Sequence, residues 1–377
     1  MTRFLHTSDL QLGMTRHFLS EEAQARFSQA RIDAVRTLAR LAQERGCRFA
    51  VVAGDVFESN QLDRRTVARA LDAFRAFSVP VYLLPGNHDP LDAASVFRSA
   101  AFTSACPPHL HVLDDATPRE VEPGVEVVGA PWTSKRPLAD LVARACESLA
   151  SARGAVRVMV AHGAVDVLSP DADDPARIAL AAAERALAEE RIHYLALGDR
   201  HSTTDVGGSG RVRYSGAPEP TDFREVDPGN ALVVSLDGGR CEVEAVRVGT
   251  WRFDERAYLL DDASHVEHLA RELDALPDRE RTVLRLSFRG ALSLAAHARL
   301  EELLARARDV FAGVDLWERH TDLVVRPEDA DFAALDVAGF ARAALDDLRR
   351  TAGGDGDEAR TARDALALLV RLAGRRA

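Results

Sequence analysis

The stretch VPVYLLPGNHD (79–89) starts as a short apolar run and ends in Gly86, Asn87, His88 and Asp89. A run this short, rich in β-branched and aromatic residues, reads as a buried strand, and the polar cluster marks its carboxyl end. Two earlier stretches have the same shape. RFLHTSD (3–9) and RFAVVAGD (48–55) are apolar strands that close on Asp9 and Asp55. Amphipathic helical stretches, about Glu21 to Arg45 and about Asp63 to Phe77, separate them. Strands alternating with such helices predict βαβ units and a layered α/β core. Sheets of this kind carry their sites at the carboxyl ends of strands, where these polar clusters fall.

The pattern continues less regularly. VEVVGAP (125–131) and VRVMVAHG (156–163) read as strands with a helix near 137–152 between them. The polar loop SPDADDP (169–175) precedes a helix at about 176–190 and the strand HYLALGDRH (193–201). VRYSGAP (212–218) and ALVVSLDGG (231–239) are two further strands. After about Val248 the character changes. Residues 258–325 read strand, helix, strand, helix, strand, a small α/β module without a ligand cluster. Two helical segments, about 336–350 and 358–373, flank GGDGDE (353–358). Val337, Phe340, Ala344, Leu345 and Leu348 share one helical face, and Ala362, Leu366, Leu369 and Val370 another. These faces suit a hairpin packed on its own domain and a partner-binding surface equally. The expected division is 1–248, 249–326 and 327–377.

The 377 residues are 46% hydrophobic, which is enough for a sizeable core in two or three domains. A net charge of −11 argues against coating nucleic acid by bulk electrostatics. It leaves a nuclease open, because cations and local arginines can neutralise phosphates. The four cysteines are scattered, with no zinc-like spacing, as expected of reduced thiols in a cytoplasmic protein. The N-terminus enters a strand without a signal peptide's apolar segment, and no run approaches the ~18 apolar residues of a membrane span. A soluble cytoplasmic protein with no membrane contact is expected.

In chain order the strand-tip residues are Asp9-x-Gln11, Gly54-Asp55, Gly86-Asn87-His88-Asp89, His162-Gly163 and Gly198-Asp199-x-His201. Each fragment alone is weak. Five in series, each ending an apolar strand, predict a two-cation centre. Two divalent ions about 3.5–4 Å apart need a shared anionic ligand and several terminal ones. Asp55 is the natural bridge. Asp9, Gln11 and His201 would complete one ion, and Asn87, His162 and Asp199 the other. His88 follows a ligand directly and so can face the substrate and protonate a leaving oxygen, with Asp89 orienting its ring.

The five blocks resemble those of the calcineurin-like metallophosphoesterases. HTSDLQLG (6–13), AGDVFES (53–59), PGNHDP (85–90) and the smaller domain that follows resemble the SbcD-type DNA repair nucleases. The likeness is strong over roughly residues 1–240. It implies a sandwich of two β-sheets flanked by helices, with a small α/β capping domain and a helical tail. It also implies two divalent ions, most often Mn²⁺ with Mg²⁺ as the alternative, and phosphodiester cleavage on DNA. The cap would touch DNA, the C-terminal helices would bind an SbcC-like ATPase, and the chain would form a homodimer.

Two positions depart from the family pattern. Gln11 stands where His is usual, and Asp199 replaces the first His of Gly-His-x-His. Both can still bind a cation. Exchanging nitrogen for oxygen favours harder cations than zinc, and a third carboxylate lowers the residual charge of the centre. An active but slower Mn²⁺-dependent enzyme is expected. Two rivals remain: a phosphoesterase on a small nucleotide or phosphoprotein, and a non-catalytic scaffold with altered ligands. Among weaker signals, Trp132, Lys135 and Arg136 in PWTSKRP (131–137) form either a nucleic-acid grip or a surface loop with a buried Trp. The glycine-rich stretch 207–223 lacks a phosphate-loop Lys. His6 and His17 flank the first block, and His17 is a candidate substrate contact.

Overall fold

The structure is a computed structural model that describes residues 1–152, 154–171, 173–237, 239–326, 339–354 and 356–374. The chain divides into two compact units, Met1–Arg252 and Phe253–Ala377.

The first unit holds two six-stranded mixed sheets. The core of sheet one is β1 (Thr2–Thr7), β2 (Phe49–Ala53), β3 (Val81–Leu84) and β4 (Leu110–Val112), all parallel. Antiparallel β11 (Asn230–Asp237) and β12 (Arg240–Arg247) extend it beside β1. Sheet two runs β5 (Arg119–Glu122), β6 (Val125–Ala130), β7 (Val156–His162), β8 (Tyr194–Gly198), β10 (Val212–Tyr214), β9 (Thr204–Val206). Within it β6, β7, β8 and β10 are parallel, and β5 and β9 are antiparallel edges.

Side-chain alternation explains the layers. Phe49, Val51 and Ala53 on β2 meet Val158 and Val160 of β7 and Tyr194 of β8 in the core between the sheets. Ala50 and Val52 point outward onto α1 (Glu21–Glu44) and α2 (Arg64–Phe74), packing with Val35, Leu38 and Phe74. On the far side, Met159 and Leu195 pack against α4 (Leu141–Ser148) and α5 (Leu180–Ala188). A short α3 (Ala100–Thr103) follows β3. The result is a two-sheet α/β sandwich flanked by helices, as the five-block resemblance implies.

Several helices are shorter than their apolar spacing predicts, and caps explain why. Asp140 accepts from the Ala143 N–H, so α4 starts at Leu141 rather than near 137. Its other oxygen accepts from Ala179, and Asp166 accepts from Leu180, which delays α5 to Leu180.

The second unit has β13 (Arg252–Leu260), a twelve-residue β14 (Thr282–Ser293), β15 (Gly313–Leu316) and β16 (Asp322–Arg326). The first half of β14 pairs with β15 and the second half with β16. Packed on this sheet are α6 (Ala263–Ala275) and α7 (Leu294–Val310), through Leu269, Leu273, Leu300 and Leu304. Among the described residues two C-terminal helices follow, α8 (Phe340–Ala352) and α9 (Asp357–Gly374). Leu345, Ala362 and Leu366 are buried, whereas Phe340 is exposed. Pro327, Val337 and the side chains of Leu369 and Val370 lie outside the described residues. Among those described, no helix is long and apolar enough to cross a membrane.

Candidate metal centre

Parallel pairing aligns the strand ends. Thr7 pairs with Val52, Ala53 with Leu84, and His162 with Gly198. The polar residues that follow therefore leave their sheets at one level. Beyond the strands, the first loop stays tied to the second. Asp9 N–H donates to Gly54 O (3.1 Å), Gln11 N–H to Asp55 O (2.9 Å) and Leu12 N–H to Val56 O (2.9 Å). The tips also need close approach. A Cβ on Gly54 would lie 2.1 Å from His162 Nδ1, and one on Gly198 would lie 1.9 Å from Ala53 O.

The backbone marks the same residues. Six non-glycine residues among those described have positive φ, and four of them are Asp9 (54°), Gln11 (43°), Asp55 (52°) and Asp199 (96°). Such conformations persist only where surroundings impose them, and they gather at functional sites.

Asp9, Asp55 and His162 each offer a donor atom, and these atoms lie within 4.8 Å of one another. Around them the contacts fall into two groups. Asp199 N–H donates to both Asp9 oxygens (3.1 and 3.2 Å), and His201 Nε2 lies 3.7 Å from Asp9 Oδ1. His162 Nε2 lies 2.7 Å from Asn87 Oδ1, 3.5 Å from Asp55 Oδ1 and 3.8 Å from Asp199 Oδ1. Six of the seven expected ligands thus meet through these contacts, and Gln11 lines the same cleft as Asp199 and His201.

Three features show that these residues fit cations. His162 Nδ1 sits 2.9 Å from Ala53 O, so Nδ1 carries a proton and Nε2 is the nitrogen turned toward the oxygens of Asn87, Asp55 and Asp199. His201 Nδ1 faces Thr221 Oγ1 (2.7 Å) and Glu225 Oε1 (2.8 Å), which leaves its Nε2 toward Asp9. A carboxylate behind a histidine whose other nitrogen faces the site is the usual support of a metal ligand. Gln11 Oε1 is buried with no hydrogen-bond partner, an acceptor waiting for a positive group.

The same crowding sets the proton affinities of the metal-free centre. Burial alone would lower both imidazoles. The charge and hydrogen bond of Asp55 outweigh it and raise His162 well above its ordinary value. The Glu225 hydrogen bond and the Asp9 charge likewise raise His201. Without a cation, protons take the place of positive charge.

His88 stands at the edge of this cluster, part-exposed. Its N–H donates to Asp55 Oδ1 (3.0 Å), its Nδ1 lies 3.0 Å from Glu58 O, and its Nε2 is 4.0 Å from Asp55 Oδ2. The expected role of Asp89 needs correction. It is fully buried, and its two oxygens accept Gly86 N–H (2.8 Å) and Phe57 N–H (2.9 Å). Burial and the Asp55 charge push its pKa up to about 7. Asp89 clasps the Asn87–His88 turn to the Asp55 loop, and the Glu58 carbonyl holds the His88 ring instead.

Other residues escaped the sequence. Glu225 and Thr221 orient His201, and Ser8 Oγ donates to Asp9 Oδ2 (2.6 Å). Trp132 is buried and its Nε1 donates to His162 O (2.7 Å), so it braces a ligand from behind rather than gripping a strand. His6 lies buried between Tyr194 Oη (3.1 Å) and Leu197 O (3.2 Å), and burial pushes its pKa down to about 3. His17 is exposed and set edge-on to Phe18.

The centre opens into a cleft of about 570 Å³ lined by Gln11, His88, Asp199 and His201, and also by Arg16, Glu58, Arg200 and Arg224. Residues 2–227, more than half of the chain, match the calcineurin-like phosphoesterase family. The chain belongs to that family. As a calcineurin-like phosphoesterase it is a metal-dependent hydrolase, with Asp9, Asp55 and His162 as a candidate metal site. No curated protein matches it. Among solved structures, TT1561 of Thermus thermophilus is similar at 12% identity and a TM-score of 0.43, over 65% of this chain and 99% of that one. That likeness is too weak to carry an assignment.

Proposed function

We propose that this calcineurin-like phosphoesterase is a two-metal phosphodiesterase acting on DNA, an SbcD-like nuclease subunit that works with an SbcC-like ATPase. The observation that supports the two-metal part is that Asp9, Asp55 and His162 offer donor atoms within 4.8 Å of one another, with His201 Nε2 beside Asp9, Asn87 and Asp199 beside His162, and an unpartnered Gln11 amide oxygen in the same cleft. Asp9, Gln11 and His201 would hold one ion and Asn87, His162 and Asp199 the other, with Asp55 shared. When bound, the ions polarise phosphoryl oxygens and make water a nucleophile near neutral pH.

The chain's own groups do the rest. Asp89 fixes the turn that carries Asn87 and His88. The Glu58 carbonyl accepts a hydrogen bond from His88 Nδ1–H, so a second proton on that ring sits on Nε2, available to the leaving oxygen. Glu225 and Thr221 keep the His201 ring from turning. Five oxygen donors against two nitrogens favour Mn²⁺ or Mg²⁺ over zinc. DNA as substrate is supported by HTSDLQLG, AGDVFES and PGNHDP and by a second α/β unit with C-terminal helices.

Labelled single- and double-stranded DNA and bis(4-nitrophenyl) phosphate, each incubated with Mn²⁺, Mg²⁺ or Zn²⁺, test this. Mn²⁺-dependent DNA cleavage that Asp55→Asn abolishes is expected. Turnover of the small ester alone, even with a cognate ATPase present, would make the chain a small-substrate phosphoesterase. Bound metal with no turnover at all would make it a scaffold.

A further inference from the structure

We propose that Arg16 and Arg200 form an anion subsite beside the metal centre, which takes a second phosphate of the substrate next to the one being cleaved. The inference rests on the phosphodiesterase function proposed above and narrows its substrate to molecules with at least two phosphates, such as a polynucleotide end.

The chain carries a net charge of −11, and many of its arginines are neutralised locally. Arg36 pairs with Asp33 and Asp72, Arg157 with Glu126, and Arg213 with Asp205. Arg16 and Arg200 are different. Among the described residues each is held by a neutral acceptor and neither forms an ion pair, although Glu58 and Glu225 line the same cleft. Arg16 Nη2 donates to Thr221 O (2.6 Å), and its Nε is buried with no partner. Arg200 uses Nε on Thr204 Oγ1 (2.9 Å), which leaves its outer nitrogens uncommitted.

A guanidinium anchored by a carbonyl or hydroxyl keeps its full charge and most of its fork of donors. That is the arrangement suited to a phosphate, which a carboxylate partner would block. Both groups also sit on the metal-site loops themselves. Arg16 lies five residues after Gln11, and Arg200 stands between Asp199 and His201. Thr221, which anchors Arg16 through its carbonyl, orients His201 through its hydroxyl.

The cleft has room for more than one phosphate. A volume of about 570 Å³ falls within the range of sites for whole small-molecule ligands. The scissile phosphate belongs at the cations, which leaves the arginines for its neighbour. In a nucleic acid every linkage carries one such charge.

Calorimetric titration of the Mn²⁺-loaded chain with thymidine 3′,5′-bisphosphate and with thymidine 5′-monophosphate tests the subsite, since neither contains a diester to cleave. The bisphosphate should bind at least about tenfold tighter. Arg16→Ala and Arg200→Ala should bring the ratio within about twofold, and Arg200→Lys, which keeps the charge but loses the fork, should fall between. Melting curves identify any variant that fails to fold, and the lysine variant then carries the test. A wild-type ratio near one overturns the proposal. So does a ratio that survives both substitutions, or an equal loss for both nucleotides, which would put the arginines on the single phosphate. An arginine-dependent ratio in a chain that cleaves no DNA would keep the subsite and remove the nuclease assignment.

Discussion

Replacing Glu225 by Gln isolates the support of one proposed ligand, His201, without touching its imidazole. Glu225 is nearly buried and faces His201 Nδ1 at 2.8 Å, while also accepting from the backbone N–H of Thr221. The amide is nearly isosteric but neutral, and it can present either an oxygen or an N–H to the ring. Loss of such a partner typically lowers metal affinity about 10- to 100-fold, or roughly 1.4–2.7 kcal/mol. Thr221 Oγ1 remains 2.7 Å from the same nitrogen, so the tautomer is still partly specified. The loss should therefore lie near the lower end, about tenfold. The double variant with Thr221→Val should approach the upper end. Calorimetric titration with Mn²⁺, alongside urea unfolding of the metal-free chain, separates affinity from stability. Affinity within about twofold of wild type in the folded double variant would show that His201 is not a ligand held in this way.

Three further outcomes follow from the centre. Gly54→Ala places a methyl 2.1 Å from His162 Nδ1 at a φ of +88°, so it should destabilise the chain by more than the ~1–2 kcal/mol of the left-handed backbone alone; unchanged urea unfolding with intact Mn²⁺ binding would refute the packing described. His162 and His201 have folded pKa values above the ordinary 6.5, so in the metal-free chain their stabilisation is complete below about pH 6.5 and is lost as pH rises through the folded values. Cations require neutral imidazoles, so the melting-temperature gain from Mn²⁺ should grow between about pH 6 and pH 8, and a gain that shrinks would contradict the ligand set. Asp199→Gly should raise the stability of the metal-free chain by about 1–3 kcal/mol, by relieving a φ of 96° and one of three crowded carboxylates, while weakening Mn²⁺ binding; a less stable variant in EDTA would argue against strain at this position.

The sandwich was legible because its central strands are buried on both faces and carry long apolar runs. Phe49 to Ala53 and Tyr194 to Leu197 announce themselves without a partner. The edges β4, β5 and β9 and the short β15 do not, because three or four half-exposed residues leave little pattern. The candidate ligands were legible because each lies at the end of a buried strand or within a few residues of it. Their supports were not. Glu225 reaches His201 from 24 positions further along the chain, beyond β9 and β10, and Asp89 could as well have faced His88 as the Phe57 and Gly86 amides. Trp132 follows the same logic: its indole N–H found the His162 carbonyl, a backbone group that no residue pattern reveals.

Backbone strain joins these observations. An Asp can occupy the left-handed region at modest cost, but Gln has no short side chain to stabilise it there, and Gln11 nonetheless sits at φ 43°. What holds it is the ladder from Asp9, Gln11 and Leu12 to Gly54, Asp55 and Val56, which continues strand-like pairing past the ends of β1 and β2. With the Gln11 backbone tied to Asp55 in this way, its side-chain amide oxygen is buried without a partner. Stability is thus spent locally on direction: three carboxylates and two imidazoles are held close together, with an unpartnered amide oxygen in the same cleft. On the two-metal reading proposed above, filling the centre with positive charge offsets all of these costs together.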